Sequence, residues 1–198
     1  MFGFGKKARL NGKRVAILIA DGVEQGQLDE SVKELRSAKA EVFLIGIREG
    51  KVQAFRSTKP SKKIALDATI DQVHPASFAA LLIPGGAQHA ERLRLNADVR
   101  DFVRAFDRQG KPLAVIGHAG WVLGSAGVAR GRTLTTWPGI RDDLINSGAI
   151  LKDEPYVIDG NLLTSRTSRD LRKFVRQLGK HFGSLADTSL VTTQEKLA

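Results

Sequence analysis

The chain has 198 residues, 42% hydrophobic and 26% charged, with a formal net charge of +10, the size and balance of one well-buried α/β domain. It contains no cysteine, which excludes disulfides, thiolate metal sites and every cysteine-based mechanism at once. No apolar run approaches the ~20 residues of a membrane helix, and His74, His89, His118 and His181 include no i, i+4 pair of the zinc-protease kind, so no membrane anchor, metal or other cofactor is expected.

Residues 1–12 mix Phe2 and Phe4 with Lys6, Lys7 and Arg9. They lack the continuous apolar core and small-residue cleavage site of a secretory signal, and read as the basic tail of a cytoplasmic protein. Residues 14–20 (RVAILIA) are a near-continuous apolar run, the pattern of a parallel strand covered on both faces. A polar loop follows from Asp21 to Gly26. Leu28, Val32 and Leu35 then recur at helical spacing, and residues 40–47 form a second strand. Strand, helix, strand predicts a right-handed βαβ unit and a parallel sheet.

Short strands over 52–55 and 63–66 make a small excursion, and residues 70–73 a single helical turn. Residues 78–83 (FAALLI) are a third core strand, stopped by Pro84-Gly85-Gly86. The glycine pair is expected to leave backbone N–H groups free to face a ligand at the carboxyl edge of the sheet. Residues 87–95 read as a short helix or turn. Asn96 caps the next helix, whose apolar face is Val99, Phe102, Val103 and Phe106.

Residues 113–123 (LAVIGHAGWVL) organise the rest. A buried strand turns sharply at Gly117-His118 and continues as an apolar helix, which is how α/β enzymes present a nucleophile. Such an elbow needs a hydroxyl or thiol at its tip, and Gly117 has no side chain. Ser125, Thr135 and Thr136 lie off the strand-helix tip. Beyond the elbow come a strand over 132–136, a helix over 140–146, a hairpin turn at Asp159-Gly160-Asn161 and a last helix over 169–182. Residues 184–198 form a polar tail. The whole reads as one domain over 13–183, a three-layer α/β sandwich with a mainly parallel central sheet. Arg166, Arg169, Arg172, Lys173, Arg176 and Lys180 cluster on or beside the last helix. A charged outer face is the usual arrangement for an amphipathic helix, and no reading motif accompanies it. Nucleic-acid binding through this helix and the basic tail is therefore the minor expectation.

Several blocks then carry a resemblance. They are Ala20-Asp21-Gly22-Val23-Glu24, Leu82-Ile83-Pro84-Gly85-Gly86, and Gly110-Lys111-Pro112 leading into Ile116-Gly117-His118. Thr136-Trp137-Pro138, Arg141-Asp142-Asp143-Leu144-Ile145-Asn146-Ser147-Gly148-Ala149 and Asp159-Gly160-Asn161-Leu162-Leu163-Thr164-Ser165-Arg166 follow in order. Together, over 13–182, they resemble the ThiJ/PfpI superfamily of the flavodoxin-like, class I glutamine amidotransferase-like fold. The likeness is greatest to its PfpI-type intracellular protease and general stress protein branch.

The resemblance implies that the family's nucleophilic cysteine would stand at Gly117, with its histidine partner at His118. It implies that Glu24 lies beside the thiol position, buried and near His118. Glu91 would act across a subunit boundary, and Gly85 and Gly86 would lie where oxyanion donors belong. It also implies a homo-oligomer. Ala119 replaces the family's usual glycine after the histidine, a change at the pocket floor. Ser168 replaces a usual proline and is expected to cap the last helix. Trp121, one helical turn past the tip, is placed to fill the vacated pocket, and Trp137 reads as packing. Asp142 and Asp143 read as acids favoured by a helix dipole. The favoured expectation is a stress-associated pseudoenzyme acting by ligand binding or association. The alternative is a hydrolase or glyoxalase-like enzyme in which His118 and Glu24 activate water.

Overall fold

The computed structural model describes residues 10–186; the tails expected at either end fall, over 1–9 and 187–198, outside the described residues. The elements run β1 (Arg14–Leu18), α1 (Gln25–Ser37), β2 (Glu41–Gly46), β3 (Lys51–Arg56), β4 (Lys59–Ala65), β5 (Ala68–Thr69), β6 (Ala80–Ile83), α2 (Ala87–Leu95) and α3 (Ala97–Arg108). They continue with β7 (Leu113–Ile116), α4 (Gly120–Ser125), β8 (Thr133–Leu134), α5 (Arg141–Asn146), β9 (Ile150–Leu151), β10 (Tyr156–Asp159), β11 (Leu162–Ser165) and α6 (Leu171–Ala186). One seven-stranded sheet has the order β10-β11-β7-β6-β1-β2-β5. β10 runs antiparallel to β11, and every other pairing in that sheet is parallel. This is the α/β sandwich that the sequence predicts.

The apolar runs become strands covered on both faces because alternate residues point to opposite layers. Val15, Ile17 and Ile19 pack with Leu28 and Leu35 of α1 and Phe174, Leu178 and Phe182 of α6. Ala16, Leu18 and Ala20 face the other layer, with Val99, Phe102 and Phe106 of α3 and Val122 and Leu123 of α4. Each large side chain buried this way contributes about 1.5–3 kcal/mol. Asn96 caps α3 as expected, its side chain accepting from the Val99 N–H at 3.0 Å.

From β1 the chain steps outward to β2 and β5, then returns to the other side of β1 as β6. The order thus reverses between β1 and β6, and the loops leaving their carboxyl ends part there. Ligands of open α/β sheets bind at such a switch point. The loops after β1, β6 and β7 all open at this edge.

Four local expectations are corrected. Only Thr133 and Leu134 of the expected strand over 132–136 are strand, and they pair with β9 in a separate small sheet. The next two residues turn toward the elbow: the Thr135 N–H donates to Thr164 Oγ1 and the Thr136 hydroxyl to Gly117 O. β3 and β4 form a longer hairpin than expected, with a register shift between Gln53 and Phe55. Its largely exposed, lysine-rich β4 shows no apolar alternation by which to read it. Thr167, not Ser168, caps the 3-10 turn that leads into α6, accepting from the Arg169 N–H at 3.1 Å. Leu10, counted with the tail, is fully buried, and its N–H donates to Ala38 O at 2.7 Å beyond the end of α1.

Candidate functional site

β7 delivers the chain to the carboxyl edge at Ile116. Gly117–Ala119 make one 3-10 turn, and α4 begins at Gly120. Gly117 has φ +59°, a left-handed conformation that glycine adopts freely and that costs other residues about 1–3 kcal/mol. The Thr136 hydroxyl pins the turn from below, donating to Gly117 O at 3.0 Å. That close approach also requires Gly120, because a Cβ there would stand 2.5 Å from Thr136 Oγ1.

A Cβ on Gly117 itself would meet only Arg166 O, at 3.1 Å, apart from its own chain neighbours. The place of the missing nucleophile is crowded by that carbonyl alone, and Trp121 does not fill it. Trp121 turns toward α5, where its Nε1–H donates to Asp143 Oδ2 at 2.6 Å. The Arg94 guanidinium lies 5.4 Å from its ring centroid. An indole has a single donor and places it on an acceptor where it can. Asp143, read from the sequence as a dipole acid, is that acceptor.

His118 is half-buried between two indoles. Its ring stacks on Trp137, with centroids 5.0 Å apart and planes at 22°, and tilts toward Trp121 at 5.8 Å and 58°. Its ring nitrogens make no hydrogen bond among the described residues. Burial holds the imidazole below its ordinary pKa of 6.5, because a desolvated ring resists carrying charge. At neutral pH it therefore offers one lone pair and one N–H, both unspent.

Glu24 joins the two loops of the switch point through its backbone, its N–H donating to Gly85 O at 2.9 Å. Its carboxylate does not reach His118. Oε2 accepts from the Ser57 N–H at 2.9 Å, in the β3–β4 turn where Ser57 has φ +56°. The expected free N–H pair is also reduced to one. The Gly85 N–H donates to Gln27 Oε1 at 2.7 Å, and Gln27 Nε2 in turn donates to Ser168 Oγ at 2.9 Å. Gly86 keeps an N–H without a partner among the described residues. With φ +118°, it passes so near Gly22 that an added Cβ would lie 2.2 Å from Gly22 O. Glu91 is exposed on α2 and stands 3.8 Å from Arg94. Ala119 is fully buried, its methyl part of the core under the elbow.

The fold thus sets His118, next to Gly117, against the rings of Trp121 and Trp137, and brings Gly85, Gly86 and the Glu24 backbone to the same edge. Glu91 joins only through Arg94. Three contributors escape the sequence reading. Trp137, read as packing, is the platform under His118. Gln27, a buried polar residue on an otherwise ordinary helix, takes up the Gly85 donor. Arg166 borders the nucleophile position with its carbonyl, while its guanidinium is held by Asp153 and Asp170. The Trp137-Pro138 break was the one available sign, since it forces the chain to turn beside the elbow. Among the described residues no cluster of three or more His, Asp or Glu side chains is placed to hold a metal ion. No described helix is long and apolar enough to cross a membrane.

Residues 13–181 match the model of the DJ-1/PfpI family. A deglycase of Pyrococcus horikoshii is 36% identical over 167 residues, which are 84% of this chain and 98% of that protein. Protein/nucleic acid deglycase 2 of Escherichia coli is 38% identical over 173 residues, 87% of this chain and 99% of that protein. The crystal structure of Drosophila melanogaster DJ-1beta superposes with a TM-score of 0.80 at 26% identity, covering 92% of this chain and 98% of the other. The chain belongs to the DJ-1/PfpI family.

Proposed function

We propose that this DJ-1/PfpI-family protein keeps the family's elbow as a binding site and has given up covalent thiol chemistry there. One observation carries the reading: Gly117, with no side chain, occupies the apex where a nucleophile would project, in a chain with no cysteine. A covalent nucleophile splits one difficult step into two easier ones, and enzymes of this kind draw on accelerations of about 10⁶-fold or more. The neutral His118 has no acidic partner within hydrogen-bond reach among the described residues. General acid–base catalysis by such a group supplies only about 10²–10⁴-fold. What the site retains is recognition: an unspent imidazole, a Gly86 N–H unpaired among the described residues, and two indoles flanking His118. These groups suit a small carbonyl-bearing ligand, which would accept from Gly86 or His118 and lie against Trp137. Self-association and a cytoplasmic, stress-associated role belong to the same reading, with exposed Glu91 on α2 available to a second copy.

Because relatives carry the name deglycase, turnover of methylglyoxal and of glycated substrate is the test. The native protein is expected to match the buffer rate. Gly117→Cys is expected to gain measurable turnover at a cost in stability of about 1–3 kcal/mol from the left-handed backbone, with Arg166 O yielding by a few tenths of an ångström to admit the Cβ. Clear turnover by the native protein that His118→Ala abolishes would replace this reading with water activation by His118.

A further inference from the structure

Charge is divided unevenly between the two helical layers. In the layer of α2, α3, α4 and α5, six arginines stand against six acids, and neighbours pair along the surface, as Arg104 does with Asp101 and Arg94 with Glu91. The other layer comprises α1, the β3–β4 hairpin, and α6 with the 3-10 turn Ser168–Asp170 before it. It carries twelve lysines and arginines against four acids, a net charge of +8.

The hairpin alone supplies five cations and no acid, and α6 with its leading turn supplies five more. All twelve are exposed. Of the four acids, Asp170 is buried and held by Arg166, and Asp29 pairs with Lys62. α1 lies between the two basic elements. Gly179 of α6 packs against Glu34 of α1. On its other flank α1 and β4 wall a groove of about 520 Å³ rimmed by Lys33, Arg36 and Lys62. The hairpin and α6 therefore put two basic patches on one layer, on either side of α1, which itself carries Lys33 and Arg36 against Asp29, Glu30 and Glu34, and the linear sequence separates the two patches by more than a hundred residues.

We propose that this layer docks double-stranded nucleic acid through its phosphate backbone, without reading bases. Backbone binding needs clustered exposed cations and little else. An anionic membrane would ask for more, because surface-bound elements also sink an apolar side into the lipid. The large exposed hydrophobic residues of the described chain are Leu95, Trp137, Ile145, Ile150 and Ile158, and none belongs to this layer. The proposal does not depend on whether the elbow turns over a substrate.

Fluorescence anisotropy of a short labelled DNA duplex tests it, with phosphatidylserine vesicles as the competing arm. The native protein is expected to bind the duplex, with affinity falling as salt rises by a slope of about −0.9 per phosphate neutralised. Lys59→Glu, Lys63→Glu, Arg172→Glu and Arg176→Glu combined should weaken binding at least tenfold and flatten that slope. Arg108→Glu with Arg141→Glu, on the neutral layer, should leave it within twofold. The Lys59→Glu, Lys63→Glu pair repeats the test with two exposed hairpin residues should the fourfold variant lose its native circular dichroism. Three results would overturn the proposal: no duplex binding by the native protein at about 50 mM salt, folded variants that bind as the native protein does, or capture by vesicles with the duplex ignored.

Discussion

The two edges of the central sheet treat polar groups in opposite ways. At the amino ends of β7 and β11, Arg132 Nη1 pairs with Asp107 at 2.8 Å, and its Nη2 donates to Asn161 Oδ1 and Asp159 O. Asn161 returns a bond from Nδ2 to Lys111 O at 3.0 Å. Its carbonyl accepts from the Leu113 N–H and bonds a His181 ring nitrogen, both at 2.8 Å. At the carboxyl edge, among the described residues, His118 makes no hydrogen bond and the Gly86 N–H has no partner, and Gly117 presents no side chain. A satisfied network rigidifies the elements that make it, whereas unspent donors and acceptors cost stability and are retained where a ligand can repay them. The amino edge holds the fold together; the carboxyl edge is kept available.

Breaking that contrast should produce graded effects. The largest involves His89, fully buried behind the β6 loop, which bonds Leu18 O through Nε2 at 3.2 Å and leaves Nδ1 buried without a partner. Burial pushes its pKa down to about 4. Above the ordinary value near 6.5 both folded and unfolded states are neutral at this residue, so its contribution is complete. As pH falls from there the unfolded chain takes up a proton that the folded chain refuses, and stability declines until about pH 4. Over that window the loss is about 3 kcal/mol, at 1.36 kcal/mol per pKa unit. Urea unfolding at neutral and acidic pH measures it, and His89→Gln, whose Nε2 stands about where the ring Nε2 bonds Leu18 O, should remove that part of the slope.

Next is Arg132→Ala, which takes the guanidinium from Asp107 and leaves Asp159, among the described residues, with the Thr133 N–H alone. Breaking a fully buried pair costs about 3–5 kcal/mol, and partial exposure of these partners reduces the expected loss to about 2 kcal/mol. Equilibrium denaturation reads it directly, and an unchanged midpoint would dissolve the distinction between the edges. The smallest effect is expected for His118→Ala. With no hydrogen bond to lose and only indole contact to give up, stability should stay within about 1 kcal/mol of native. The His118 ring in the native protein should titrate below 6.5 by NMR, and a midpoint above that would mean a carboxylate does approach it.

Much of the fold was readable because its signals are local. The run over 14–20, the helical spacing of Val99, Phe102, Val103 and Phe106, and the Asp159-Gly160-Asn161 turn each state their element within a few residues. The elbow was readable for the same reason, as a strand, a glycine and a helix in succession. The site's polar wiring was not. Gln27 meets Gly85 across 58 residues and Ser168 across 141, and no periodicity marks such a partner. Trp121 and Glu24 were placed at the right edge, but each turned toward a donor or acceptor from another element, Asp143 in one case and the Ser57 N–H in the other.

Side-chain chemistry listed in order was enough to establish an α/β protein of this family, an elbow without its thiol, and the absence of any cysteine that could stand in. Which groups around that elbow remain free among the described residues, and that scattered lysines and arginines gather on one layer, followed only from the folded chain. Hydrogen bonds and surface charge depend on distances in space, and the order of residues constrains those distances only where the partners are close along the backbone.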